Sequence, residues 1–215
     1  MEMLYKIAIF APPVLLAITL HEVAHGWAAK SLGDPTAHLL GRLTLNPLKH
    51  VDPVGTILIP LVLFLLPGNF LFGWAKPVPV NMNQLGEPKR DMALVAAAGP
   101  AANFVMALLW AFVYRYAHGM SDPVATILIT MAGAGILFNL VLMVVNLIPV
   151  PPLDGGRVLA GVLPNNLSEL LARIEPFGLF VIFGLLAMGM LGHIIYEPLS
   201  FFHDLIFQIV GIPAN

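Results

Sequence analysis

The first apolar run of the chain, from Leu4 through LLAITL to Leu20, passes without a break into His21-Glu22-Val23-Ala24-His25. A run of that length approaches the ~20 apolar residues that cross a bilayer. It also recurs, with further apolar stretches over residues 91–116, 123–147 and 177–196. The chain is 59% hydrophobic and only 10% charged, whereas water-soluble domains carry roughly 25% charged residues. Lipid is the solvent that fits. Within lipid each backbone N–H and C=O must find its partner inside its own segment, so the spans are helices. The expected fold is an all-α polytopic membrane protein with about four transmembrane helices, forming a single domain over residues 1–215.

The segments between the spans carry their own signals. Residues 54–66 are apolar but short, contain Pro60 and are stopped by Pro67-Gly68. A re-entrant or interfacial segment suits them better than a crossing. Residues 72–81, Phe-Gly-Trp-Ala-Lys-Pro-Val-Pro-Val-Asn, alternate in the manner of a short irregular β element, and their prolines confine it to an edge. Residues 166–173 suit an interfacial helix. The apolar tail 199–212, with His203 and Asp204 inside it, suits an interfacial C-terminal segment. A net charge of −2 without a long basic run argues against nucleic acid as a partner. The absence of cysteine excludes disulfides and thiolate metal sites. Glu2 and Lys6 give the N-terminus no positive bias, which argues against a cleaved signal peptide.

The pentapeptide HEVAH carries the chemistry. Residues four apart share a helix face, so His21 and His25 can offer two imidazoles to one Zn²⁺. Glu22 beside them is placed to take a proton from a water at that ion. A chance match of this pattern has a probability under about one percent for such a chain, and ionisable groups in an apolar segment mark a functional site by default. A catalytic zinc takes three protein ligands. His38, His50, His118, His193 and His203 lie in loops or near span ends, where a solvated histidine is the commoner explanation. Asp154 is the better candidate. It follows Asn146-Leu-Ile-Pro-Val-Pro-Pro-Leu, where Pro149, Pro151 and Pro152 break the helix before Gly155 and Gly156. Such backbone at membrane depth is tolerated only when buried in protein or lining a cavity. Taken alone, Asp154 reads equally well as a turn or N-cap residue.

HEVAHGWAAKSLGDP, FGWAKPVPVN, AAAGPAAN and NLIPVPPLDGGRVL together resemble the site-2 protease family of intramembrane zinc metallopeptidases, in particular its compact prokaryotic branch without PDZ or CBS modules. The resemblance covers nearly the whole chain through Arg157. It implies His21, His25 and Asp154 as zinc ligands and Glu22 as the catalytic base. It also assigns Asn146 to substrate handling and matches Gly99 to Asn103 to the family's small-residue motif, which makes Gly99 and Asn103 candidate substrate-side residues. The implied activity is hydrolysis of peptide bonds in membrane-spanning or membrane-anchored proteins. An unwound substrate could then add as a strand along Trp74, Val78 and Val80. The rival function is a membrane zinc-binding or metal-transport protein using the same ligands. The long helices over 91–116 and 123–147 carry no row of ionisable groups to serve as its path.

Topology supplies a separate constraint. His21 and His25 can meet Asp154 only if their spans exit on one side, which requires residues 54–66 not to cross. In that arrangement Lys30, Arg42, Lys49, Lys76, Lys89, Arg90, Arg157 and Arg173 share a face, and only Lys6 and Arg115 lie opposite. A crossing at 54–66 would give a weaker bias. The positive-inside rule therefore places the metal toward the cytoplasmic side, and the resemblance implies a prokaryotic inner membrane.

Overall fold

The computed structural model describes residues 2–59, 61–62, 73–121 and 123–212. They form seven helices of two turns or more, labelled here α1 (Glu2–Ser31), α2 (Pro88–His118), α3 (Pro123–Asn146), α4 (Asp154–Val162), α5 (Asn165–Ile174), α6 (Gly178–Ala187) and α7 (Met190–Val210). Four stretches are long and apolar enough to span a bilayer: Leu4–Ser31, Pro88–His118, Pro123–Asn146 and Asn165–Ala187. The protein is a multi-pass membrane protein. α1 runs as one element through Pro12 and Pro13 and carries the HEVAH sequence in its C-terminal half.

Packing of the bundle is built on small side chains. Ala96, Gly99, Asn103, Ala107 and Ala111 recur every three or four residues along α2 and are all buried. Between helices in lipid there is little hydrophobic drive, so close van der Waals contact of small residues supplies the attraction. α3 answers with Ala132, Gly135 and Asn139. The ring of Trp110 lies where a side chain on Gly135 would stand. The C-terminal third of α1, the N-terminal half of α2 and the segment after α3 thereby converge at one end of the bundle.

The structure corrects the sequence reading at three places. The last apolar stretch is not one helix over 177–196: it breaks at Gly189, which takes φ 69°, a left-handed conformation that glycine adopts without strain. The tail does not lie free in the interface. Ile206 and Val210 of α7 are buried against Ala107, Ala111, Ile136 and Leu140, and the Arg115 guanidinium donates to the Val210 carbonyl at the end of the helix. The apolar residues Ile195, Leu199, Phe202, Ile206 and Val210 make the packed stripe.

The third correction concerns the β element at 72–81. Among the described residues there is no strand. Residues 73–81 are extended, but each inward N–H meets a different partner instead of a neighbouring strand. Trp74 donates to the Gly55 carbonyl at 3.1 Å, Lys76 to the His50 carbonyl at 2.9 Å and Val78 to the Glu22 carboxylate at 2.8 Å. Pro77 and Pro79 have no N–H with which to extend a ladder. Of the 54–66 segment, Pro53–Leu58 forms a wide helical turn capped by the Asp52 carboxylate. Residues 60 and 63–66 lie outside the described residues, and with them the question of whether the segment crosses.

Candidate metal centre

His21 and His25 stand one turn apart on α1 with their rings perpendicular and their centroids 4.6 Å apart. Their Nε2 atoms are 3.0 Å from one another. Asp154 opens α4, and its Oδ2 lies 3.2 Å from Nε2 of His21 and 3.3 Å from Nε2 of His25. The local sequence explains how a residue so distant arrives there. Pro149, Pro151 and Pro152 cannot continue α3, so the chain turns and restarts at Asp154. A side chain on Gly155 would come within 2.3 Å of the Leu147 carbonyl oxygen, and one on Gly156 within 2.3 Å of the Pro151 nitrogen. Only glycine lets α4 begin that close to the end of α3, and this closeness delivers the carboxylate to α1.

The far side of each imidazole is fixed. His21 donates Nδ1–H to Oδ1 of Asn103 at 2.6 Å, and His25 donates Nδ1–H to the Val95 carbonyl at 2.8 Å. Each bond selects the tautomer whose Nε2 carries a lone pair toward the carboxylate. Three lone-pair atoms thus converge with no proton between them, and Oδ2 of Asp154 is buried without a hydrogen-bond donor. That repulsive arrangement calls for a cation. Tetrahedral zinc with ligands at ~2.0–2.1 Å sets its ligand atoms about 3.3 Å apart, which matches the observed triangle. Two imidazoles and one carboxylate leave a fourth position open, as catalytic rather than structural zinc sites do.

Gly99 forms the floor of this centre. A Cβ there would sit 2.4 Å from Nε2 of His25 and 2.6 Å from Cε1 of His21. Its contribution visible in the structure is space for the rings, and that of Asn103 is orientation of His21. Neither the Val95 carbonyl nor Asn139, which accepts a hydrogen bond from Asn103 at 2.9 Å, stood out in the sequence as part of the site. A backbone carbonyl leaves no sequence signal, whereas a lone asparagine inside an apolar helix does.

The remaining candidates are placed as follows. Glu22 is not among the converging ligand atoms; one of its oxygens accepts the N–H of Val78. Trp74 covers Gly55, and Val78 is buried with its side chain beside Gly26. Val80 is half-buried at the end of the extended segment. Asn146 donates to the Leu142 carbonyl in its own helix at 2.9 Å. His38, His50, His118, His193 and His203 stay outside the cluster, and among the described residues no second group of three metal-ligating side chains is found.

Residues 116–189 match the model of peptidase family M50. The chain is 40% identical over 190 residues to a Bacillus subtilis (strain 168) protein named "Putative zinc metalloprotease YwhC", covering 86% of this chain and 83% of that protein. A Mycolicibacterium smegmatis protein named in the same way, Rip2, is 31% identical over 191 residues, 88% of this chain and 71% of its own length. No solved structure matches the chain. The chain therefore belongs to peptidase family M50, the site-2 protease family, as a zinc-dependent membrane metalloprotease.

Proposed function

We propose that the protein is an intramembrane endopeptidase that cuts membrane-spanning or membrane-anchored proteins, with His21, His25 and Asp154 holding zinc and Glu22 acting as the base. The observation that carries this reading is the convergence of three lone-pair atoms, 3.0 to 3.3 Å apart, at the meeting point of otherwise apolar helices. When bound, zinc supplies Lewis acidity toward a water and the scissile carbonyl. Glu22 takes the proton of the attacking water and returns it to the leaving amine. Its hydrogen bond from Val78 supports that role, because a charge-assisted bond to one oxygen holds the carboxylate in place and leaves the other oxygen for the proton.

A helical substrate hides its carbonyls and must be locally unwound before attack. The extended segment 73–81 offers a place for the unwound stretch. The N–H groups of Trp74, Lys76 and Val78 are spent inward, so the outward edge presents Ala75, Pro77 and Pro79. The two prolines contribute carbonyl acceptors and no donors. A substrate lying along it would be held through its own N–H groups. Trp74, Val78 and Val80 belong to this segment, and Asn146, whose amide donates to the Leu142 carbonyl, is proposed to contact the same substrate. The distribution of lysine and arginine supports a cytoplasmic-side location for this chemistry, provided residues 54–66 do not cross.

The test is cleavage of a single-span substrate in proteoliposomes together with zinc content. Wild type is expected to cleave and to stop on chelation. Glu22→Gln is expected to keep its zinc and lose cleavage. Wild-type rates from Glu22→Gln would remove the glutamate from its role, and chelator-insensitive cleavage would remove the metal from the reaction.

A further inference from the structure

Asn139 is fully buried on α3, where its side chain hydrogen-bonds Asn103 and the Gly135 carbonyl, and the proposed reaction gives it no part. We infer that Asn139 is a positioning residue of the metal centre, acting through Asn103 to hold His21 in its metal-binding tautomer. The inference rests on the proposed zinc ligation by His21.

The hydrogen bonds between these side chains have only one consistent direction. Nδ2 of Asn139 donates to the Gly135 carbonyl at 2.8 Å, which turns Oδ1 toward α2. That oxygen accepts from Nδ2 of Asn103 at 2.9 Å, and the same Nδ2 donates to the Ala17 carbonyl at 3.2 Å. Both Asn103 donors are thereby used, and its Oδ1 is left facing Nδ1 of His21 at 2.6 Å. Turning Asn103 over would set its oxygen against two oxygens and its NH₂ against the Nδ1–H of His21. Inside an apolar bundle no water is at hand to relieve those contacts. His21 must carry its proton on Nδ1, and Nε2 presents its lone pair beside Asp154. Two elements enforce the orientation, the Ala17 carbonyl on α1 and Asn139 on α3. A mere adhesive between helices would need any hydrogen bond from α3 to α2, whereas this device needs an acceptor at position 139.

The experiment compares full-length wild type with Asn139→Leu, Asn139→Asp, Ile136→Ala and His21→Ala in detergent. Zinc affinity is read by chelator competition and thermal stability in the metal-free state. Outer-shell partners of metal-bound histidines are typically worth 10- to 100-fold in affinity, and Asn139→Leu is expected to weaken zinc by about that factor. Asn139→Asp keeps an acceptor oxygen toward Asn103 and, with a proton on its other oxygen, the donor to the Gly135 carbonyl, so it should weaken zinc far less than Asn139→Leu. Ile136→Ala opens a gap in the same helix; it should lower the metal-free melting temperature and leave zinc affinity unchanged. Should Asn139→Leu fail to fold, Asn139→Ser carries the same expectation, because its hydroxyl can bond to the Gly135 carbonyl but is too short to meet Asn103. Wild-type zinc affinity in folded Asn139→Leu or Asn139→Ser overturns the inference, and so does equal weakening by Ile136→Ala. Zinc affinity unchanged in His21→Ala would instead overturn the ligand assignment on which it rests.

Discussion

The backbone N–H of Val78 donates to a carboxylate oxygen of Glu22 across 2.8 Å, joining the helix that carries two metal-ligand candidates to an extended segment 56 residues further on. The bond can be removed without touching Glu22. Val78→Pro deletes the donor, and the extended conformation on either side already suits proline. Val78→Ala keeps the donor and trims only the packing beside Gly26. A hydrogen bond to a charged group is worth about 1.5–3 kcal/mol, so Val78→Pro should lower kcat about 10- to 150-fold with zinc content intact. Val78→Ala should lose a few-fold at most. Equal losses in the two variants would mean that the contact serves packing alone.

Gly99 predicts a steric effect at the opposite side of the rings. A methyl group at this position would overlap His25 at 2.4 Å, and the helix backbone of α2 cannot retreat without breaking its small-residue contacts with α1 and α3. Gly99→Ala should reduce zinc affinity at least tenfold, a displacement effect of the size seen when metal-ligand orientation is lost. Gly133→Ala is the matched control. A methyl group there meets nothing nearer than Tyr114 at 3.8 Å, so zinc affinity and helix content should match wild type.

Much of this site was legible in the sequence because its chemistry is local there. His21 and His25 are one helical turn apart, and the prolines and glycines around Asp154 announce a break that only a special environment allows. Their meeting at one metal was the premise from which residues 54–66 were expected not to cross, and that crossing lies outside the described residues. What the sequence did not reveal was pairwise and long-range. Residues 72–81 alternate as a strand does, yet alternation records only an extended chain; whether a partner strand lies alongside is decided by His50, Gly55 and Glu22, far away in sequence. The tail after Leu199 read as interfacial because His203 and Asp204 interrupt it. Its apolar residues instead follow a helical stripe that matches the alanines of α2, and Gly189 resets the helix so that the stripe can dock. Gly99 and Asn103 drew attention as a motif, but the reason for each lies in the rings of another helix.

Asp154 predicts how metal and stability are linked. A ligand that binds only the folded state stabilises it by RT ln(1 + [L]/Kd), about 2.7 kcal/mol at a hundredfold excess over Kd. Wild type should therefore melt at a higher temperature as free zinc rises, with the increment abolished by chelation. Asp154→Asn keeps the shape of the side chain but not its charge. Its zinc-dependent increment should appear only at much higher zinc, and its metal-free melting temperature should stay near that of wild type. An increment of the same size at the same zinc concentration would place the third ligand elsewhere.

Asp34 predicts a pH dependence outside the spans. Its buried carboxylate accepts the N–H of Thr36 at 2.9 Å and that of Asn81 at 2.6 Å, so it ties the exit of α1 to the end of the extended segment. Burial favours its neutral form, but the hydrogen bonds from Thr36 and Asn81 outweigh burial and lower its pKa below the ordinary carboxylate value. A group whose folded pKa is depressed stabilises the fold above its unfolded pKa, about 3.9, and that stabilisation is lost as pH falls through the folded value. Chelator-treated wild type should therefore lose melting temperature between about pH 5 and pH 3. Asp34→Asn should be less stable already at pH 7, since its amide cannot accept two backbone donors as strongly, and its profile should be flatter over the same acid window. The difference between the two proteins should shrink as pH falls. Parallel profiles from pH 7 to pH 3 would show that the Asp34 charge does not hold the segment in place.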